Sequence, residues 1–213
     1  MPVDLLAFGE VEDPEGTVTP PARGEEPSVW AFSEIDATSL SLSLSLGTGL
    51  SVRIPTVAGY AAAKLGAWLD RSAYGELKDA RDLALVLHWY AESEPVQDRL
   101  YQSEEGHAIL ERTELDVRNA AAHLLGRDIA TTIGRRRLHE LLQRWSASDQ
   151  RLIAQLTVED KQTWSPQRRA AILAALTAGL TAAWLLLRPQ SRATRSVAAS
   201  VDGRWETTRT VPS

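Results

Sequence analysis

A chain of 213 residues with 44% apolar and 24% charged residues is long enough to bury a sizeable core and too apolar to be disordered. Its formal net charge of −5 provides no general basic field, so binding of a polyanion needs a local cluster of cations. The absence of cysteine excludes disulfides, thiolate zinc sites and cysteine nucleophiles. Abundant Leu and Ala, with only 2 Phe, predict a mostly helical protein.

The N-terminal segment predicts a short strand followed by a surface loop. The apolar run from Val3 to Phe8 ends at Gly9, which is typical of a strand. Residues 10–28 are rich in proline, glycine and acidic residues and show no apolar periodicity. Because no basic region followed by an apolar run begins at Met1, the sequence predicts no signal peptide and a cytoplasmic location.

A β-hairpin is predicted next. Ser and Leu alternate without a break over 39–46, which places every Leu on one face of a strand and every Ser on the other. The Gly-Thr-Gly sequence at 47–49 predicts a turn, and 50–54 predicts the second strand. Pro55 then ends the hairpin, and Thr56 supplies the N-cap of a helix.

Apolar residues recur at helical spacing in the rest of the chain. The predicted helices are 56–71, 76–91, 94–101, 104–125, 131–146, 148–157 and 166–187. We interpret Gly126 as the residue that follows the C-terminus of the fourth helix. The apolar faces of the fourth and fifth helices predict a bundle, and the Ser-, Thr- and Arg-rich stretch at 188–213 predicts a flexible tail.

The last predicted helix has an alternative interpretation. The stretch from Ala170 to Leu187 carries no charge and approaches the length of about 20 apolar residues that spans a bilayer. Its many Ala residues and its Thr residues lower its hydrophobicity, which favours a buried helix in the protein and makes a membrane the less favoured partner. A membrane anchor is the alternative, and it predicts extraction that depends on detergent.

Charged residues occupy unusual positions in the first two helices. Lys64 and Arg71 lie about two turns apart and point the same way, with Lys64 among apolar and aromatic neighbours. Asp79 and Asp82 lie on a stripe that continues as the core face of the next helix. Because a short loop makes the helices antiparallel neighbours, we expect Lys64 or Arg71 to be the counter-ion. Spacing alone is equally compatible with a salt-bridge network that only fixes helix packing.

The order of these features resembles one protein family. Val3-Asp4-Leu5-Leu6 is followed by a predicted hairpin, by K-L-x-A-x-x-x-R at 64–71, and by K-D-x-x-D-L at 78–83. This combination resembles the AbiEii/AbiGii-type nucleotidyltransferases, which are toxin-like enzymes, over residues 3–90. The resemblance implies an α+β protein with a truncated nucleotidyltransferase-like small β-sheet packed by helices, followed by a C-terminal helical bundle.

The resemblance also implies a division of the chain and a chemistry. The nucleotidyltransferase-like part covers 1–91 and the bundle covers 92–187. The implied reaction transfers a nucleoside monophosphate from a nucleoside triphosphate with Mg²⁺. Its acceptor is RNA, a protein hydroxyl or a small molecule, and an antitoxin is an implied partner.

By position, the resemblance implies a role for each charged residue. Asp4 matches the third acid at the catalytic metals, or the general base. Lys64 matches a phosphate contact, and Asp79 belongs to the final catalytic motif. Further nucleotide contacts are implied for Arg71, Lys78 and Asp82.

Two motifs of that family are absent from this sequence. The family has a G-S or G-G element at a helix N-terminus and a D-x-D pair, both ahead of the strand that matches 3–8. Because one carboxylate does not hold two Mg²⁺ ions in near-octahedral geometry, we expect the chain to be inactive alone. Three interpretations stay open: a start codon placed too far downstream, a split gene, or a remnant that has lost catalysis. An unpaired strand at 3–8 favours a missing N-terminus.

Two further hypotheses follow. A catalytically inactive remnant is predicted to act as a protein interaction module that binds a partner through its exposed sheet edge. Separately, the arginines at 135–137, together with Arg127 and Arg144, are either a contact for RNA or nucleotide phosphate or a solvated helix face, and the solvated face is favoured.

Overall fold

A computed structural model of the chain describes residues 6–19, 28–44, 49–75, 77–145, 149–157 and 164–187. Within these ranges the protein is mostly helical and contains a two-stranded antiparallel sheet, which confirms the predicted α+β class at that level. The predicted tail at 188–213 lies outside the described residues. The predicted boundary at residue 91 stays a prediction.

The elements of the described chain run in the order helix, hairpin, helices. Their bounds are α1 Phe32–Ala37, β1 Leu40–Ser43, β2 Ser51–Ile54, α2 Val57–Arg71, α3 Lys78–Glu92, α4 Glu94–Gln102, α5 Glu104–Arg112, α6 Val117–Trp145, α7 Asp149–Gln155 and α8 Pro166–Leu187. The predictions for α2, α3, α4, α7 and α8 are confirmed to within about two residues at each end.

The segment before the hairpin differs from its prediction. Residues 6–8 form no strand, and the rest of the strand predicted at 3–8 lies outside the described residues. The loop that follows is ordered by Glu12, whose carboxylate accepts hydrogen bonds from the backbone N–H groups of Gly9 and Gly16, each at 2.7 Å. The start of the loop predicted at 10–28 is therefore a glutamate-centred turn.

Helix α1 was not predicted from the sequence, and a buried tryptophan anchors the chain just before it. Trp30 is 8% exposed, and its indole Nε1 donates to Glu140 of α6 at 3.0 Å. Its ring lies on Gly66 of α2, where a β-carbon would overlap it. The side chain of Ile35 in α1 is also buried. The N-terminal segment is thus packed onto both α2 and α6.

The predicted hairpin is confirmed in a shorter form. Leu40 of β1 lies opposite Ile54 of β2, and Ser43 lies opposite Ser51. Residues 45 and 46 of the strand predicted at 39–46 lie outside the described residues, and Leu44 is described but lies beyond the end of β1. Leu40 is 65% exposed and Leu42 is 46% exposed, so the leucine face of β1 does not pack on the core.

Helix α6 is two helical segments that meet at Gly134, whose backbone is non-helical with φ 69° and ψ 174°. Asp116, just before the first segment, binds Arg168 at the start of α8, with 2.8 Å between Oδ1 and Nη2. Trp145, at the end of the second segment, donates to Thr177 of α8 at 2.9 Å. The second segment therefore runs back along α8.

The predicted helix at 104–125 is wrong in two respects. It is divided into α5 and the start of α6, because the chain turns at 113–116 with positive φ at Glu114 and Leu115. Gly126 does not end a helix either. It lies inside α6, where a β-carbon would overlap the backbone of Leu176 in α8. Gly126 is therefore needed because α6 and α8 pack closely there, and it does not mark the end of a helix.

Helix α8 is the one described helix that is long and apolar enough to cross a bilayer, with mean hydropathy 2.1 over its most apolar window. In this fold 39% of that window is buried, mostly against α6. Core helices of soluble proteins pass the same test, so length and composition are weak evidence for a span. The described part of the fold adds no further observation that favours a membrane span for α8.

The core is continuous among the described residues and includes side chains from α1 to α8. Trp68 of α2 is fully buried in this core, with its ring edge-to-face against Trp145 at 6.4 Å between centroids. The Trp68 indole also donates to Gln155 of α7 at 2.7 Å. These contacts fix the C-terminal half of α2, which carries Lys64 and Arg71.

Candidate functional site

Four charged side chains from α2 and α3 converge, and we refer to Lys64, Arg71, Asp79 and Asp82 as the charge cluster. The Lys64 ammonium lies 3.3 Å from Asp79 Oδ1 and 2.5 Å from Asp82 Oδ2. Arg71 Nη2 donates to Asp79 Oδ2 at 2.7 Å. The sequence prediction that Lys64 or Arg71 is the counter-ion is therefore confirmed, and both cations take part.

The local sequence explains why the cluster forms. Thr56 accepts a hydrogen bond from Gly59 N and so fixes the start of α2, which sets the direction of Lys64. The 3₁₀ turn Ser72–Tyr74 and Gly75, with φ 82°, then reverse the chain into α3. Antiparallel packing of the two helices brings the Lys64 turn beside the first turn of α3, where Asp79 begins its buried face.

The two carboxylates differ in burial. The side chain of Asp79 is only 2% exposed, whereas that of Asp82 is 22% exposed. Both oxygens of Asp79 are bound, one by Lys64 and one by Arg71. Asp79 is therefore held as a structural anion, and Asp82 is the carboxylate that solvent or a ligand reaches.

Lys64 is charged and electrostatically restrained. Burial alone lowers the pKa of its ammonium, but the hydrogen bond to Asp82 and the electrostatic influence of Tyr60, Asp82 and Asp79 outweigh that effect, so the pKa is raised. The ammonium also lies 5.3 Å from the centre of the Tyr60 ring, within the range of a cation–π contact. It is unsuited to act as a base and suited to bind an anion.

A cavity of about 590 Å³ adjoins the cluster at the start of α3, and we call it the Lys78 cavity. Its polar lining residues are Tyr74, Lys78, Arg81, Asp82 and Thr157. The cavity lies at the N-terminal end of α3, whose first turn has no side-chain cap. The cavity thus combines two cationic side chains with a helix N-terminus.

The described residues do not form a site for Mg²⁺. No group of three or more acidic or histidine side chains in the described ranges is placed to hold a metal. Within the cluster, each carboxylate already accepts from Lys64, and Asp79 accepts from Arg71 as well. The sequence-predicted metal ligand, Asp4, lies outside the described residues.

The structure brings together most of the other predicted site residues. Lys64, Arg71, Asp79 and Asp82 are in direct contact, and Lys78 lines the adjoining cavity. Sequence reasoning placed Tyr60 beside Lys64 without giving it a role, and it did not single out Arg81. The signal for Tyr60 was its position one helical turn before Lys64, which places the two side chains on one face.

An apolar groove lies on the other side of Asp82, and we call it the α2–α3 groove. It has a volume of about 670 Å³ and lies between the hairpin, α2, α3 and the start of α4. Its main apolar lining residues are Ile54, Val57, Tyr60, Leu85, Val86 and Trp89. The Trp89 side chain is 65% exposed, which is a large exposed fraction for a tryptophan.

The arginines that were weighed as a phosphate contact have partners within the chain. Arg137 is only 5% exposed, so the solvated-face interpretation is wrong for this residue. Its guanidinium binds three carboxylates, those of Glu15, Glu34 and Glu140. The other pairs are Arg136 with Glu15, Arg127 with Glu105, and Arg144 with Asp70, while Arg135 lies over the Trp184 ring.

No protein-family model, curated protein or solved structure matches this chain. The candidate site is therefore defined by its own geometry: a two-cation, two-carboxylate cluster on two helices, between a basic cavity and an apolar groove.

Proposed function

We propose that this chain is the phosphate-contacting part of a nucleotidyltransferase-like domain. The observation that supports the proposal is the convergence of Lys64, Arg71, Asp79 and Asp82 beside the Lys78 cavity. Cations at the first turn of a helix, together with free backbone N–H groups, are suited to bind a nucleoside triphosphate.

Each residue of the cluster has a distinct part in this proposal. A phosphate oxygen competes with the Asp82 carboxylate for the Lys64 ammonium, because Asp82 is the more exposed of the two acids. Asp79 stays in place, since Arg71 continues to hold it when Lys64 changes partner. Lys78 binds the phosphates from the cavity side, with backbone N–H groups of the same helical turn.

Transfer of a nucleoside monophosphate requires more than this chain contributes. The sequence has no G-S or G-G element followed by a D-x-D pair, and the described residues form no metal site. In the proposed activity, Mg²⁺ is bound by Asp4 together with acidic residues of a second polypeptide that supplies the missing motifs. The chain alone is therefore proposed to bind a nucleotide without turning it over, and its acceptor, whether RNA, protein or small molecule, acts only in the completed enzyme.

The experiment is equilibrium binding of ATP, GTP, CTP and UTP to the whole chain, with EDTA and then with Mg²⁺. We expect Lys78→Ala and Lys64→Met to weaken triphosphate binding about tenfold, as expected for the loss of one charge-assisted hydrogen bond. Arg53→Ala is the matched control, because it removes one exposed cation from β2 that pairs with Asp36. Circular dichroism establishes that each variant is folded.

Two results contradict the proposal. One is the absence of triphosphate binding by the unsubstituted chain under both conditions. The other is binding that Arg53→Ala weakens as much as Lys78→Ala, since this indicates general attraction of an anion to surface charge.

A second candidate function is a non-catalytic interaction module that uses the edge of the hairpin. The observation that favours it is the exposure of Leu40, Leu42 and Ile54 on a sheet with two strands, whose outer backbone groups are available to an added strand. An extended peptide of alternating Val and Thr is a direct probe. Slower hydrogen exchange at hairpin amides on peptide addition is expected, and unchanged exchange contradicts this candidate.

A further inference from the structure

An exposed aromatic side chain lines the Lys78 cavity beside its cations. Tyr74 is 84% exposed, the largest exposed fraction of any large apolar side chain in the described residues. Its ring contacts no other aromatic ring in the described part of the chain. The face of the Tyr74 ring is therefore available to a flat ligand in the cavity.

The turn that carries Tyr74 is anchored in the fold. Ser72 begins this 3₁₀ turn and is only 6% exposed, and its carbonyl oxygen accepts a hydrogen bond from Gly75 N at 3.3 Å. Gly75 has a φ of 82°, in the left-handed region that glycine adopts without strain. Because the main chain on both sides of Tyr74 is already ordered, a ligand that stacks on the ring has little backbone entropy to remove.

The cations of the cavity follow Tyr74 closely in the chain. Lys78 begins α3 four residues later, so the two Cα atoms lie within about 14 Å of each other. Lys78 has no ion-pair partner among the described residues. The Asp82 carboxylate also lines the cavity, but Lys64 binds it at 2.5 Å and offsets its charge. One small molecule is therefore able to contact the Tyr74 ring and the Lys78 ammonium together.

A nucleoside triphosphate combines the two chemistries that the cavity offers. Its phosphates are anionic and are bound by cationic side chains, whereas its base is a flat ring on which an aromatic side chain stacks. The cavity volume of about 590 Å³ is typical of a small-molecule site. A simple polyanion, in contrast, uses the cations alone and leaves the Tyr74 ring exposed to water.

We propose that the base of a bound nucleoside triphosphate stacks on the Tyr74 ring, while Lys78 and Arg81 bind its phosphates. This inference rests on the proposed function of the Lys78 cavity and adds the residue that distinguishes a nucleotide from a simple polyanion. Asn and Gln, which recognise adenine through two hydrogen bonds, are absent from the described lining of the cavity. Stacking is then the main contact to the base, so ATP and GTP bind about equally and more tightly than CTP and UTP, whose bases have a smaller ring area.

The experiment is isothermal titration calorimetry of the whole chain with ATP and with inorganic tripolyphosphate, in EDTA and in Mg²⁺. We expect Tyr74→Ala to weaken ATP binding about tenfold, the effect of losing one stacked base, and to change tripolyphosphate binding less than about twofold. Tyr74→Phe keeps the stacking face and is expected to retain most of the ATP affinity. Circular dichroism establishes that each variant is folded.

Two further variants make the result specific. Tyr101→Ala removes a 53% exposed aromatic side chain from α4, outside the cavity, and is expected to bind both ligands like the unsubstituted chain. Lys78→Ala is expected to weaken ATP and tripolyphosphate by similar factors, because both ligands use its charge. A loss at Tyr74 that affects ATP alone, beside a loss at Lys78 that affects both ligands, supports stacking of the base.

Four outcomes overturn the inference. If Lys78→Ala weakens ATP binding and Tyr74→Ala does not, the cavity binds phosphate as in the proposed function, but the base does not stack on Tyr74. If Tyr74→Ala weakens both ligands equally, the ring supports the turn instead of the base. A loss of ATP affinity in Leu85→Ala but not in Tyr74→Ala places the base at the other apolar part of the lining. If the unsubstituted chain binds neither ligand, the proposed function fails as well.

Discussion

Arg137 Nε lies 3.1 Å from Glu34 Oε1, although the two residues are far apart in the sequence. This contact ties α1 to the second segment of α6, where Arg137 is buried together with Trp30. Glu140 completes the junction, because its Oε2 accepts from both Arg137 and the Trp30 indole, each at 3.0 Å. The N-terminal segment is therefore fixed by a polar network as well as by apolar packing.

Replacement of Arg137 is expected to destabilise the protein strongly. Arg137→Met leaves Glu34 in a partly buried site without its cation, which is expected to reduce the free energy of unfolding by about 3 kcal/mol. Urea denaturation measures this quantity. Arg136→Met is the matched control, because its side chain is 58% exposed and its loss is expected to cost less than about 1 kcal/mol. Equal effects of the two substitutions contradict a special role for the buried arginine.

The sequence did not predict this junction, for a physical reason. Helix α1 has only six residues, too few to show a helical period, and its stability comes from tertiary contacts. The arginine run at 135–137 looks the same in sequence whether its members face solvent or carboxylates. Only packing against the distant Glu34 distinguishes Arg137 from its neighbours, because Arg136 contacts Glu15 as well.

The charge cluster gives a second prediction. In the double variant Lys64→Met/Arg71→Met, the Asp79 carboxylate is left buried without a cation, so the free energy of unfolding is expected to fall by about 3 to 5 kcal/mol. Arg71→Met alone is expected to cost about 1 kcal/mol or less, because Lys64 still binds Asp79 and the Arg71 side chain is 53% exposed.

Adding Asp79→Asn to the double variant tests the cause of that loss. Removal of the buried charge is expected to recover a large part of the lost stability, again measured by urea denaturation. If the triple variant is as unstable as the double variant, the loss comes from packing and not from an unpaired carboxylate.

This cluster was predictable because its parts are local. Lys64 and Arg71 lie on one face of a regular helix, and the short link at 72–77 leaves few ways to pack α2 against α3. The difference between buried Asp79 and accessible Asp82 was not predictable, since both lie on the same stripe of α3. It depends on the position of the α3 axis relative to α2, which the spacing does not specify.

Close packing of α6 on α8 gives a third prediction. A β-carbon at Gly179 would overlap the His123 carbonyl oxygen, so Gly179→Ala forces the two helices apart. We expect a loss of about 2 kcal/mol or more, even though Ala is the better helix former. Ala178→Leu adds more volume at the neighbouring exposed position of α8 and is expected to change the melting temperature little. A Gly179→Ala variant as stable as the parent refutes backbone contact at this crossing.

The same crossing explains why Gly126 was interpreted as a helix end. A glycine after a run of helix formers is typical of a helix C-terminus, and a glycine at a helix crossing has the same local sequence. The two cases differ only in the presence of a facing helix. Here that helix is α8, whose Gly179 lies much later in the chain.

The buried His123 gives the last prediction, which concerns pH. Burial lowers the pKa of its imidazole, and the charges of Arg112 and Arg127 lower it further against the opposing charge of Glu105. Its Nε2 has no hydrogen-bond partner among the described residues. Below the ordinary value of 6.5, the unfolded chain therefore binds a proton that the folded protein does not.

Stability is consequently expected to fall as the pH decreases through that value, by at most about 1.4 kcal/mol per pH unit from this residue. Above it His123 is neutral in both states and contributes no pH dependence. Urea denaturation at about pH 7.5 and about pH 5.5 is expected to show a smaller difference for His123→Gln than for the unsubstituted chain. The same difference in both proteins would mean that acid sensitivity in this range comes from other groups. The carboxylates with lowered pKa values, Glu12, Asp116 and Glu140, contribute only at lower pH, because their stabilising effect is lost as they are protonated.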